Sequence, residues 1–277
     1  MATDAQALGI AQLLREWRER RRVSQLELAL RAGTTQRHVS FIERGRSMPG
    51  RGMIVRLAEA LEVPLRARNE LLLAAGYAPA YSQMSLDDPT LDPVRSALER
   101  ILDGHLPFPA AITDRGADLV SGNDAFLALI DHVPAHMREP RINLARVFLH
   151  PDGLGRRVIN MDEWGRHVIE GLRRKALRQP NPALDDLIEE LEPYAPPRSP
   201  DPSPLHVGFA VPLRLRTERG ELTLLTTLTH FATAVDVTIS ELTLEAFLPA
   251  DAATASHFEA PDVGPGSAGL SMAMPLR

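Results

Sequence analysis

The sequence predicts a multidomain chain of α and α+β class: an all-α head of five short helices, then a body with one five-stranded antiparallel sheet and flanking helices. Three observations predict this. Apolar residues over 8–76 recur at the helical period between short breaks. Strand-like runs appear near 109–120 and again over 206–247, with helical patterns between them. Charge divides the same way: residues 1–76 hold 13 basic and 8 acidic residues, a net +5, while the whole chain carries −5. A basic head on an acidic body is the distribution expected where one domain meets a polyanion.

In the head, Ile10, Leu13, Leu14 and Trp17 share one face of a first helix, with arginines opposite. Ser24-Gln25-Leu26-Glu27 is an S-x-x-E box that opens a second helix, with Leu26, Leu28, Ala29 and Leu30 expected on its buried side. Gly33 suits the left-handed end of that helix, and Thr34 or Thr35 suits the cap of the next. The third helix runs from Gln36 to Glu43, and two more are expected near 53–62 and 66–76. A helix, a Gly-containing turn and a second short helix form the geometry that presents a recognition helix to the DNA major groove. Val39 and Ile42 would face inward, leaving Gln36, Arg37 and Ser40 outward. Glutamine can pair with adenine and arginine with guanine, so these side chains suit base edges. Thr35 opens this DNA-binding helix, Gln25 suits a phosphate from the start of the preceding one, and Arg44 and Arg46 lie just beyond it where phosphates would run. Arg15 and Arg18–Arg22 suit a solubilising surface, with added phosphate contacts as the alternative for Arg20–Arg22.

The run Ser24-Gln25-Leu26-Glu27-Leu28-Ala29, Gly33, Val39-Ser40-Phe41-Ile42-Glu43-Arg44-Gly45-Arg46 and Pro49 resembles the XRE (phage-repressor-like) family of helix-turn-helix regulators over about residues 8–76. The resemblance implies base reading by Gln36 and Arg37, a phosphate contact by Gln25, and an ion pair between Arg18 and Glu43. Phe41 departs from it, standing where some relatives carry a polar base reader.

Residues 78–91 read as a linker between a head at 1–77 and a body at 92–250, and 251–277 as a disordered tail rich in Ala, Gly, Pro and Ser. Asp92-Pro93 is expected to cap a helix. Two short strands flank a turn at 114–116, Asn123 opens a helix to Asp131, and further helices span 161–178 and 183–192. Three strands are expected at 206–217, 221–231 and 235–247, the first two joined at Arg219-Gly220. Two strands, helices, then three strands is the order of a PAS-like fold. Pro109-Ala110, Asp118–Val120, Asn123, the run from Asn143 to Gly153, Trp164 and the 184–194 helix make the body similar to MmyB-type ligand-binding domains. That resemblance implies a PAS-like sensor with an apolar cavity, for which a bound fatty acid or similar small apolar or amphipathic ligand is the expected occupant. Phe126, Phe148 and Trp164 have the spacing of core residues that could also line such a cavity. Arg146 and His150 would meet an acidic headgroup there, or else serve structure: Arg146 paired with Asp162 or Glu163, His150 at a helix end.

The absence of cysteine excludes disulfides, thiolate zinc and thiol catalysis. There is no G-x-S-x-G, P-loop or H-E-x-x-H motif, and Gly153-Leu154-Gly155 lacks the third glycine of a dinucleotide site. His132 and His136 enclose Pro134, which spoils a helical metal pair, and Asp185, Asp186, Glu189 and Glu190 form a solvated face. No apolar run reaches the length of a membrane span, and no signal segment opens the chain. The expectation is therefore a cytoplasmic, non-enzymatic DNA-binding regulator, homodimeric on double-stranded operator DNA, with no metal. The body either senses a small ligand or serves as a ligand-free dimerisation or docking module.

Overall fold

The computed structural model describes residues 2–197, 210–231 and 233–259. The chain forms two compact units: Met1–Met84 with Thr233–Ser240, and Ser85–Ala232 with Glu241–Arg277.

The first unit holds α1 (Ala2–Arg20), α2 (Gln25–Arg31), α3 (Gln36–Glu43), α4 (Arg51–Ala60) and α5 (Leu65–Ala74). Ile10, Leu14, Trp17, Leu28, Val39, Ile42, Leu57 and Leu72 are buried together in its core. Local chemistry sets the breaks. Ser24 Oγ accepts from the Glu27 amide at 3.1 Å, and Thr35 Oγ1 accepts from the His38 amide at 3.2 Å, so each helix starts on a side-chain cap. Gly33, at φ +63°, makes the left-handed turn between them. Burial on α2 differs from the expected pattern. Leu28 and Ala29 are buried, but Leu26 and Leu30 are 53% and 72% exposed. At 3.6 residues per turn, Leu26 and Leu30 each lie roughly 160° around the helix from Leu28, so one face cannot hold all three.

This unit continues past Tyr77 because buried Asn69 binds the following chain: its Oδ1 accepts from the amides of Ala80 and Tyr81, and its Nδ2 donates to the Tyr81 carbonyl. Asp236 acts similarly, accepting from Ser82 Oγ at 2.8 Å and from the Met84 amide at 3.1 Å. Its other oxygen takes the amides of Thr238 and Ile239, folding Val237–Ser240 into one helical turn, α12, where a strand was expected.

The second unit places α6 (Asp92–Asp103), α7 (Asp124–Ile130), α8 (Ala135–Arg138), α9 (Leu144–Leu149), α10 (Arg166–Arg178) and α11 (Pro182–Leu191) around one sheet. Its strands are β1 (Ala110–Thr113), β2 (Leu119–Gly122), β3 (Leu213–Thr217), β4 (Gly220–His230) and β5 (Thr243–Pro249), in the order β2-β1-β5-β4-β3, all antiparallel. Residues 206–209 of the expected first long strand lie outside the described residues. Asp92 is not the cap expected of it. Asp88 accepts from the Thr90 amide at 2.9 Å and starts a short 3-10 turn, Pro89–Leu91, that leads into α6, while Asp92 pairs with Arg95. Gly155 is a packing glycine: a Cβ there would meet the carbonyl oxygens of Leu149 and His150, which fits the close return of the chain under α9. Part of the expected disordered tail is also ordered. Ala252–Glu259 forms α13, where buried Thr254 accepts from the Thr223 amide at 2.9 Å. The rest of that tail lies outside the described residues.

Candidate nucleic-acid interface and ligand-binding face

The candidate recognition surface is built on α3. Val39 and Ile42 are fully buried, which turns Gln36 and Arg37 outward to full exposure and leaves Ser40 half-buried. Arg44 and Arg46, either side of Gly45, are exposed just beyond the helix. An ion pair fixes the pitch of this helix. Arg18 donates to both oxygens of Glu43, at 2.6 and 2.9 Å, and to the Val23 carbonyl at 3.0 Å. The Glu43 side chain is only 3% exposed, and its hydrogen bonds raise the Arg18 guanidinium further above its already high range. Gln25 joins the same carboxylate, donating Nε2–H to Glu43 at 2.7 Å. Its amide is therefore held in place at the start of α2, with one N–H already engaged. The hydroxyl of Thr35 is likewise occupied as the cap of α3. Arg21 donates to the carbonyls of Leu61 and Glu62 beyond α4, so this arginine of the basic run has a structural task.

The body's candidate residues divide in two. Phe126, Phe148 and Trp164 are almost wholly buried and touch through Phe247: Phe126 stacks on it at 6.0 Å, Phe148 approaches it at 5.4 Å, and Trp164 meets Phe148 edge-on at 5.6 Å. They form the apolar layer over one face of the sheet. Arg146 and His150 do not reach that layer's interior. Arg146 grips both oxygens of Glu190 on α11, at 2.7 and 2.6 Å, in a half-exposed pair. This hydrogen bonding holds the Glu190 carboxyl below the ordinary carboxylate range. The partner is neither Asp162 nor Glu163, because α11 packs beside α9 and brings Glu190 across. His150 follows α9, accepts from the Asp152 amide at 3.0 Å, and lies edge-on to Tyr194. Asn123 caps α7 and is a hub. Its oxygen takes the amides of Ala110 and Phe126, and its Nδ2 donates to the carbonyls of Leu102 and Phe108.

A family model described as "MmyB-like transcription regulator ligand binding domain" matches residues 94–260, and one described as "Helix-turn-helix" matches residues 14–67. The chain belongs to the MmyB-like transcription regulators. A curated relative, an uncharacterized HTH-type transcriptional regulator (y4dL) of Sinorhizobium fredii, is 35% identical over 133 residues, covering 47% of this chain and 65% of that protein. The chain thus spans a little under two thirds of this relative's length. A solved RNA-binding light-oxygen-voltage receptor matches at 16% identity and a TM-score of 0.28, over 87% of this chain and 60% of that one, too loose a superposition to carry structural inference.

The chain thus carries a helix-turn-helix head of XRE type and a body of the MmyB-like ligand-binding domain family. No helix among the described residues is long and apolar enough to cross a membrane, and none of their His, Asp and Glu side chains group in threes as a metal site would need.

The sequence reading missed the contact Phe41 makes and the residues Lys175 and Glu245. Phe41 is half-buried, and the Arg37 guanidinium carbon stands 5.2 Å from its ring centre, so the exposed Arg37 is steadied by a neighbour one turn on. Lys175 and Glu245 both point to the face of the sheet that Phe247 occupies. Burial lowers the Lys175 ammonium and raises the Glu245 carboxyl from their usual ranges. Signals for both were present: Lys175 continues the inward face of α10 from Ile169 and Leu172, and Glu245 alternates with Phe247 along β5.

Proposed function

We propose that the regulator binds a short palindromic operator as a homodimer, with Gln36, Arg37 and Ser40 at base edges and Thr35, Gln25, Arg44 and Arg46 toward the backbone. Its body responds to a small apolar or amphipathic, fatty-acid-like ligand. The observation that carries the DNA part is α3 itself: an exposed row of base-reading side chains on a helix whose orientation the Arg18–Glu43 pair fixes. For the body, support comes from a sheet face that is apolar at one end and polar at the other, beneath an aromatic layer. Coupling requires that the ligand bind the DNA-competent and incompetent arrangements with different affinity.

A second reading has its own support. Phe126, Phe148, Trp164 and Phe247 fill their layer by direct contact, as they would in a ligand-free dimerisation module. Native mass spectrometry of gently purified protein, compared with the same sample denatured, separates the two. A dimer carrying extra mass that vanishes on denaturation supports the sensor. A dimer of bare polypeptide mass supports the scaffold, and a monomer at micromolar concentration sinks the dimeric operator reading.

A further inference from the structure

We propose that the connection between β4 and β5 is a coupling strap, latched by Asp236, through which opening of the helical head loosens the sheet's central pair, and the reverse. The strap acts whatever the sheet domain binds.

Antiparallel neighbours need a turn of only about two to five residues. Here β4 ends at His230 and β5 begins at Thr243, so the connection is far longer than closure of the sheet requires. Thr233–Ser240 belongs to the first unit, with the helical head, although both strands belong to the second. β5 is the middle strand of the sheet, so this detour departs from its centre and not from an edge. The two roots of the strap are tied together. His230 faces Thr243 in the register, and its Nδ1 lies 3.3 Å from Thr243 Oγ1. The connection is thereby fixed to the last rung of the central ladder.

Within the first unit the strap is bonded to Ser82–Met84, although 154 residues separate Ser82 from Asp236. Asp236 Oδ2 accepts from Ser82 Oγ and from the Met84 amide. The Val237 amide donates to the Ser82 carbonyl at 2.8 Å, and Thr238 Oγ1 donates to the Met84 carbonyl at 2.7 Å. Asp236 Oδ1 serves its own turn, accepting from the amides of Thr238 and Ile239. One carboxylate oxygen thus builds the turn while the other holds the chain at 82–84. Release of the second set of bonds leaves the turn intact, which supplies the two discrete arrangements that coupling needs. Val237 and Ile239 are buried, and their helical turn packs on α5.

From Ser82 the path runs back into the head. Asn69 on α5 binds Ala80 and Tyr81, and Arg68 donates to the Tyr81 hydroxyl at 3.1 Å with its guanidinium carbon 5.6 Å from the ring centre. α5 packs on α1, and Arg18 of α1 holds Glu43 at the end of α3. A linker that only joined two domains would be free chain, and a connection that only closed a sheet would be a short turn. Ordering both against each other costs chain entropy that neither task calls for, and coupling accounts for it.

The test is hydrogen exchange read by mass spectrometry on the full chain, with neither DNA nor small molecule added. Leu57→Ala empties part of the head's core at a buried residue that makes none of the strap's hydrogen bonds, and exchange of α4 itself registers the weakening. Asp236→Asn keeps an acceptor for the turn but sets an amide N–H against the Met84 N–H, so it opens the latch. In the latched chain, Leu57→Ala should speed exchange of the β4 and β5 peptides around His230 and Thr243 by about tenfold or more. In the Asp236→Asn background the same change should speed it by less than about twofold. A latch with a merely structural role would leave the effect of Leu57→Ala on these strands equal in both backgrounds. Should Asp236→Asn not fold, Thr238→Val, which removes a single hydroxyl bond to Met84, is expected to cut the transmitted acceleration by about threefold. A latched chain whose strand peptides ignore Leu57→Ala, or latch variants that transmit its effect undiminished, overturns the strap.

Discussion

Replacing Glu43 by glutamine preserves the shape of a side chain that three groups depend on and removes its charge. In the native head, Arg18 donates to both carboxylate oxygens at 2.6 and 2.9 Å and Gln25 donates at 2.7 Å, with the Arg18 and Glu43 side chains only 13% and 3% exposed. Screening by water is therefore weak. Hydrogen bonds to charged groups contribute about 1.5–3 kcal/mol each, and breaking one side of a buried pair costs about 3–5 kcal/mol. Arg18 keeps the Val23 carbonyl and a distant contact with Glu19 at 3.8 Å, and glutamine can still accept one bond. The expected loss is thus at the lower end, about 2–3 kcal/mol, which for a unit of this size lowers Tm by roughly 10–20 °C. The two tryptophans make the assay specific, because Trp17 lies in the first unit's core and Trp164 in the second's. In a Trp164→Phe background, Trp17 fluorescence during urea titration follows the first unit alone. Combining Glu43→Gln with Arg18→Met should give a coupling of about 1.5 kcal/mol or more. A loss below about 0.5 kcal/mol, within the range of ordinary surface substitutions, would refute the view that this pair sets the pitch of α3.

Other substitutions test other parts. Arg37→Ala should weaken specific DNA binding by about 1–3 kcal/mol and relax selection at one base pair, as read by electrophoretic shift on a selected operator; unchanged affinity would remove Arg37 from the reading surface. Asn123→Ala deletes four hydrogen bonds at a buried hub and should cost about 3 kcal/mol in the second unit's unfolding. Gly155→Ala should cost about 1–3 kcal/mol, since the new Cβ meets two backbone carbonyls that cannot rotate away. The Glu190 carboxyl is depressed in the folded state, chiefly by its hydrogen bond to Arg146, so its contribution is present above the unfolded carboxyl's range and is lost as pH falls through the folded value. Because the pair is half-exposed, that contribution is under about 1 kcal/mol. Urea melts between about pH 3 and pH 7 should show a shallower acid limb for Glu190→Gln than for the parent, and equal limbs would deny the pair any role.

What could be read from the sequence was local. The Ser24 and Thr35 caps, Gly33, Arg18 opposite Glu43 and the Asn123 cap each involve either a few consecutive residues or a pattern that the family resemblance implied. The errors arose where a distant partner decides. Leu26 and Leu30 are apolar, yet at 3.6 residues per turn they lie on the far side of α2 from Leu28, which packing into the core turns inward. Val235–Leu242 is strand-like in composition, but Asp236 captures the amides of Thr238 and Ile239 and binds Ser82, far away in sequence. Arg146 met Glu190 rather than Asp162 or Glu163 because helix packing, absent from the local pattern, chose among the available carboxylates.

The same distinction separates the two candidate sites. The DNA-reading surface occupies one helix and its flanks, so the period of a single helix sorts its outward from its inward residues. The polar end of the body's sheet is assembled from β1, β4, β5 and α10, and no one of these segments shows it alone. On α10, Lys175 reads as one more basic residue in a run of arginines; on β5, Glu245 reads as an ordinary interruption of an apolar strand. Only strand register sets Glu245 beside Leu228 and Thr243 beside His230, and only packing of α10 brings Lys175 to the Asp114 carbonyl. A slip of one residue in β5 would exchange Glu245 for Leu244 or Ala246 on the core face and abolish the arrangement. The fold therefore holds that chemistry through the same pairing that buries Phe247, and a substitution that loosened the aromatic layer should disturb the charged end with it.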